Sequence, residues 1–216
     1  MTVWIMRARH GITALVAALA AGSALAAVPT NGGPYNASFL AGGIGIARPL
    51  QGADRLVAAG APYSIATWVR ADAVQTGTVT LIAIGSGDGA RMLTIAGGRI
   101  VARDGAASLR GPALAAGRWT HVAAVSDGTT LSLYVDGRRV GGTRASSTAV
   151  SPTLAVAPAE PGATHFGGTL VGATVHDTAL LPTEVAATVR ARPDFALVQL
   201  WQIGRASCRE RVLYTV

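Results

Sequence analysis

The sequence predicts an all-β fold, a two-sheet antiparallel sandwich of jelly-roll type with one short C-terminal helix. Short runs of β-branched and apolar residues alternate with a period of two, the pattern of half-buried strands. Gly and Asp-Gly turn signals break these runs about every 8–14 residues, a spacing typical of sandwiches and not of a parallel sheet crossed by helices. Composition agrees: 216 residues, 50% hydrophobic, 13% charged, with 27 Gly and one Cys. Those values exclude a disordered polar chain, a disulfide-stapled miniprotein and a collagen-like repeat.

Residues 1–26 read as a secretory signal peptide. Arg7, Arg9 and His10 form the positive region, and GITALVAALAAGSALA follows without a charge. Ala24-Leu25-Ala26 supplies the small-x-small cleavage pattern, so the mature chain is expected to start at Ala27 and to be secreted or periplasmic. The 16 apolar residues are too few at about 1.5 Å each to cross a core of about 30 Å. No membrane partner is expected after cleavage, and an intact Met1 on exported material would refute this.

The strands follow. Residues 62–72 alternate Ile65, Thr67 and Val69 against Ala66 and Trp68. Residues 77–85 and 91–98 are β-branched runs bounded by Gly, and 98–105 returns as a hairpin across Gly97-Gly98. Residues 117–128 run to an Asp127-Gly128 turn and 129–137 to an Asp136-Gly137 turn, after which RRVGGTRA pairs back. Asp-Gly between alternating apolar runs is a strong hairpin signal because type I′ turns require positive φ at both central residues. The helix opens at Pro182, carries Glu184 in its first turn and Arg190 and Arg192 in its last, and stops at Pro193. That order suits the helix dipole, while Val185, Ala186 and Val189 form one apolar face.

The mature domain is expected over 27–195, with 196–201 beginning a linker to a further domain. Residues 202–216, QIGRASCRERVLYTV, break the style of the preceding chain and resemble translated sequencing-adapter DNA. They are expected to be an artefactual tail, the natural protein continuing past Trp201. Charge arithmetic changes accordingly. The formal net charge is +7, all 18 basic residues being Arg, yet residues 27–201 hold 13 Arg against 10 Asp and Glu, which leaves +3. No basic cluster with interleaved aromatics remains, so no nucleic-acid partner is expected. The lack of Lys excludes Schiff-base and phosphate-loop lysine chemistry.

Three segments carry a resemblance: YSIATWVRAD, GRWTHVAAVSDGTTLSLYVDGRRVGG and FGGTLVGATVHDTALLPTEVAATVRA. They resemble the laminin G-like, or concanavalin A-like lectin/glucanase, jelly-roll family over residues 37–192. The resemblance implies two packed antiparallel sheets and an accessory module that binds glycans, proteins or calcium. Such modules commonly accompany glycoside hydrolases in exported bacterial proteins, and a β-galactosidase-like remainder is the expectation here. The expected function is a noncatalytic carbohydrate-binding or interaction module, its partner a glycan or a neighbouring domain. The rival is a structural or adhesion spacer that takes no free ligand.

No catalytic residue is expected. Glucanases of this fold place two carboxylates at alternate positions of one strand, whereas Glu160, Glu184 and Glu210 are this chain's only Glu and no strand bears acids at i and i+2. His121 occupies a structural position of the family motif, and His165 and His176 have no acid at metal spacing. No cofactor is required; a calcium site would draw on turn acids, Asp88 and Asp104 first, with Asp127 and Asp136 beside them. Turn stabilisation is the competing role for Asp before Gly. For sugars the candidates are Tyr35, Tyr63, Trp68, Trp119, Tyr134 and Phe166, with Tyr35 and Tyr63 preferred because Trp68 and Trp119 sit in motifs expected to be core. Arg103 and Arg110, with Arg91 and Arg144, are candidates for acidic sugars.

Overall fold

The computed structural model describes residues 35–39, 46–49, 54–158, 165–191 and 213–214. The signal segment and the linker start at 196–201 lie outside them, as does most of the tail. The described residues form the expected two-sheet antiparallel sandwich. In chain order its elements are β1 (Tyr35–Phe39), β2 (Ile46–Pro49), α1 (Asp54–Val57), β3 (Tyr63–Ala71), β4 (Thr78–Ile84), β5 (Arg91–Ala96) and β6 (Arg99–Asp104). There follow β7 (Ala107–Ala113), β8 (Thr120–Ser126), β9 (Thr130–Val135), β10 (Arg138–Arg144), β11 (Thr153–Val156), β12 (Gly168–His176), α2 (Pro182–Arg190) and β13 (Leu213–Tyr214). One sheet runs β10-β9-β8-β3-β12-β1-β13 and the other β2-β11-β4-β5-β6-β7. β13, from the tail segment, pairs with Tyr35 and Asn36 of β1.

Period-two alternation fixes which side chains meet between the sheets. Tyr63, Ile65, Val69, Val122, Ala124, Leu131 and Leu133 of one sheet face Val79, Ile82, Ile84, Leu93, Ile95 and Ile100 of the other in a single buried cluster. β7 is a strand that the alternation pattern does not announce, because Gly111 and Pro112 interrupt it. As the edge strand of its sheet, β7 tolerates a residue without an N–H.

Both expected type I′ turns that are two residues long are present: φ is +55° and +72° at Gly97 and Gly98, and +49° and +78° at Asp136 and Gly137. The Asp127-Gly128 turn differs from expectation. Ser126 pairs with Leu131, so four residues connect the strands, and positive φ is needed only at Gly128. Asp127 holds this loop with its carboxylate, accepting the Thr129 and Thr130 N–H groups at 2.8 and 2.7 Å and the Thr129 hydroxyl at 2.7 Å. The Thr129 hydroxyl bond, followed by those backbone bonds, keeps the carboxyl below its ordinary range. Gly128, at φ +91°, also brings its α-carbon against the Gly60 carbonyl, where a methyl group would clash. Gly128→Ala is expected to cost about 1–3 kcal/mol, measurable as a lower urea midpoint with unchanged slope.

A polar cluster sits inside the sandwich. The Gly97-Gly98 turn sets a register in which Arg91 of β5 lies directly opposite Asp104 of β6. Both are on the inner face, 1% exposed, with Arg91 Nε 3.7 Å from Asp104 Oδ1. The Arg91 guanidinium donates to the carbonyls of Leu56, Ala58 and Thr148, and stands 4.9 Å from the centre of the Tyr63 ring. Asp104 accepts the Ser146 N–H at 3.3 Å. The pair therefore ties α1 and the segment after β10 to the sheet. Burial pushes the Asp104 carboxyl above its ordinary range while Arg91 opposes the shift, and burial likewise raises the Tyr63 phenol.

Candidate functional site

α2 packs on the outer face of the seven-stranded sheet. Ser64 of β3 secures the approach: its hydroxyl donates to the Thr178 carbonyl at 2.8 Å and accepts the Leu180 N–H at 2.9 Å. Pro182 then starts the helix, and Glu184 accepts the Leu181 N–H at 2.7 Å, satisfying a donor at the helix start. Val185 packs on Ala66, Ala123, Val125 and Tyr134. One turn later, Val189 packs beside Trp68, Trp119 and Val171.

Past Val189 the helix leaves a groove of about 480 Å³, lined by Trp68, Arg118, Trp119, Asp136 and Val189. Its floor is indole: Trp68 is 8% exposed, while Trp119 is half-buried. His121, opposite Trp68 across the strand pair, meets that ring edge-on at 5.2 Å. The Arg70 guanidinium stands 5.6 Å from the Trp119 ring centre. The rim is polar and charged. Asp136, held at positive φ by its turn, accepts the His121 N–H at 2.9 Å through Oδ1 and pairs with Arg118 at 3.5 Å through Oδ2. Arg118 is 71% exposed, so this pair adds orientation more than energy. His121 Nε2 lies 3.3 Å from the Thr188 hydroxyl of α2, and burial lowers its pKa to about 4, with Asp136 opposing. An apolar aromatic floor with a donor and an acceptor at its edge can stack on a sugar ring and hydrogen-bond its hydroxyls.

Several expected site residues lie elsewhere. Tyr63 is fully buried against Arg91 and cannot meet a ligand, since its inward position in β3 places it in the core. Asp104 is also buried and committed to Arg91 and Ser146, so it is not an open metal ligand. Asp88 is exposed in the short 3-10 turn Gly87–Gly89. Among the described residues no three His, Cys, Asp or Glu side chains gather as a metal site would require. Tyr134 and Phe166 are buried, as is Arg91, which leaves no surface role for that arginine. The Tyr35 side chain lies outside the described residues. Arg103 is half-buried and Arg110 exposed on the six-stranded sheet, away from the lining of the groove. Sequence reading placed Trp119 in the core and passed over Arg118; the usable signal was the Asp136-Gly137 turn, which returns Asp136 beside β8.

Among the described residues no helix is long and apolar enough to cross a membrane. No curated protein matches the sequence. Solved structures share the fold at low identity. A sialidase of Trypanosoma rangeli bound to sialic acid aligns with TM-score 0.58 and 19% identity, over 75% of this chain and 28% of that one. A botulinum neurotoxin type C, whose cell entry depends on two ganglioside molecules, aligns with TM-score 0.56 and 10% identity, over 68% and 39%. A Bacteroides ovatus protein described as a candidate carbohydrate binder aligns with TM-score 0.57 and 15% identity, over 70% and 46%. This chain thus spans less than half the length of each. The laminin G type-3 family model matches residues 47–186, and the chain belongs to the concanavalin A-like lectin/glucanases superfamily.

Proposed function

We propose that the protein is a noncatalytic carbohydrate-binding module, exported as the leading part of a larger carbohydrate-active protein. The observation that carries this reading is the indole-floored groove with Arg118 and Asp136 at its rim. The half-buried Trp119 indole offers a surface on which a pyranose can stack, and Arg118 and Asp136 offer a donor and an acceptor for its hydroxyls. The one acid among its lining residues is engaged: Asp136 pairs with Arg118 and accepts the His121 backbone N–H. A glycosidase needs two carboxylates flanking the scissile bond. The relatives named above, a sialidase and a ganglioside-dependent toxin among them, act in a sugar context and support the same class.

A glycan array with the full chain tests this. Binding to at least one neutral glycan is expected, and Trp119→Ala is expected to weaken it about tenfold or more, since a stacking anchor dominates such sites. Incubation with the bound polysaccharide should release no reducing ends. The spacer reading draws on the burial of Trp68, Tyr134 and Phe166, which leaves little aromatic surface; silence across the array would select it.

A further inference from the structure

The outer face of the six-stranded sheet is a second surface, remote from α2 in the topology. Strand register assigns its side chains. On β5 and β6, Arg91, Leu93, Ile95, Ile100, Ala102 and Asp104 point inward, so Arg99, Val101 and Arg103 point outward. On β7, Arg110 pairs with Val101 and Ser108 with Arg103, which puts both on the same outer face. β4 and β5 add Thr78, Thr80, Ala83, Met92, Thr94 and Ala96.

This face has three arginines and no carboxylate among the described residues. Asp104 follows Arg103 in sequence but points to the opposite side, where Arg91 holds it. Arg99 donates from Nε to the Gly111 carbonyl at 3.0 Å, which fixes its stem against β7. Standard strand spacings place the α-carbon of Arg110 roughly 8 Å from that of Arg103, and a register shift between Arg99 and Val101 separates Arg99 from that regular stretch of the β6–β7 ladder. Met92 and Val101 add apolar surface to a floor otherwise made of Ala, Thr and Ser side chains; Arg99 and Arg110 stand exposed on it and Arg103 is half-buried.

We propose that this face binds an anionic polysaccharide, its carboxylate or sulfate groups held by Arg99, Arg103 and Arg110. Guanidinium forks pair bidentately with such planar or trigonal oxyanions. A regular sheet presents them in fixed rows, which suits an extended polymer with repeating charges. Nucleic acid is disfavoured because the described face offers no aromatic side chain for base stacking. A membrane surface is disfavoured because no large apolar side chain stands exposed on it. The proposal shares its ligand class with the groove reading but uses different residues, so the two can fail separately.

The test is binding of the full chain to polygalacturonate, dextran sulfate, unmodified dextran and duplex DNA, followed by titration of salt. At least one anionic glycan should bind, carboxylate and sulfate forms separating the two possible groups, with affinity falling as salt rises. Arg103→Glu with Arg110→Glu should weaken that binding about tenfold or more, and Arg103→Gln with Arg110→Gln by less, while Trp119→Ala leaves it unchanged. The Gln pair decides the matter should the Glu pair fold poorly. Failure of both anionic glycans to bind overturns the proposal. So does binding that survives the Gln and Glu pairs, or DNA bound as tightly as the better glycan.

Discussion

Arg91→Met is expected to lower stability by about 3–5 kcal/mol, the cost of removing one partner from a buried ion pair. The loss is large because Asp104 would keep its burial and lose its cation, and because the carbonyls of Leu56, Ala58 and Thr148 would lose a shared donor. An exposed arginine would cost far less. Against a total stability of about 5–15 kcal/mol this change removes much of the margin. Adding Asp104→Leu should recover part of the loss but not all, since an apolar pair removes the stranded charge and leaves the three carbonyls unserved. Guanidinium unfolding of the four proteins in the double-mutant cycle measures both effects. A single-variant cost under about 1 kcal/mol would show that the cluster contributes no net stability.

The same cluster shows where sequence reading reaches its limit. The Gly97-Gly98 hairpin was legible, and its register places Arg91 opposite Asp104 by arithmetic alone. What was not legible is which face of the hairpin turns inward. An arginine and an aspartate read as surface residues because either alone would be too costly to bury. Only their pairing, with carbonyls from α1 and from the segment after β10, makes the inward face possible, and those partners lie 35 and 57 residues away in sequence. Tyr63 was misplaced for a related reason: it opens a strand that alternates cleanly, yet β3 is central and covered on both faces, by the core on one side and by α2 on the other. Local pattern identified strands, turns and the Pro182 helix. It could not tell a face that α2 covers from one left to solvent: Trp68 is buried as its motif implied, while Trp119 is half-buried, packed on Trp68 and Val171 at the edge of that cover.

Stability should fall as pH drops from 6.5 toward 4, and His121 should be the main cause. Burial holds its pKa near 4 in the folded chain, against an ordinary 6.5 once unfolded. Above pH 6.5 both states carry a neutral ring and the fold keeps its full stability. Between the two values the unfolded chain binds a proton that the folded chain refuses, so stability declines with falling pH, and below about 4 this group adds no further loss. A depression of that size corresponds to about 3 kcal/mol across the window. His176 is also lowered by burial and adds to the same slope, while the raised Asp104 carboxyl works against it. His121→Gln keeps a polar atom for Thr188 but cannot titrate, so its unfolding free energy should vary less with pH, whatever its absolute stability. The consequence for the site is direct. His121 lies between Trp68, Thr188 of α2 and the Asp136 turn, so charging it strains the wall and the rim of the groove together. Neutral-glycan binding through Trp119 should weaken near pH 4 in the native chain and persist in His121→Gln, whereas equal weakening in both would place the sensitivity elsewhere.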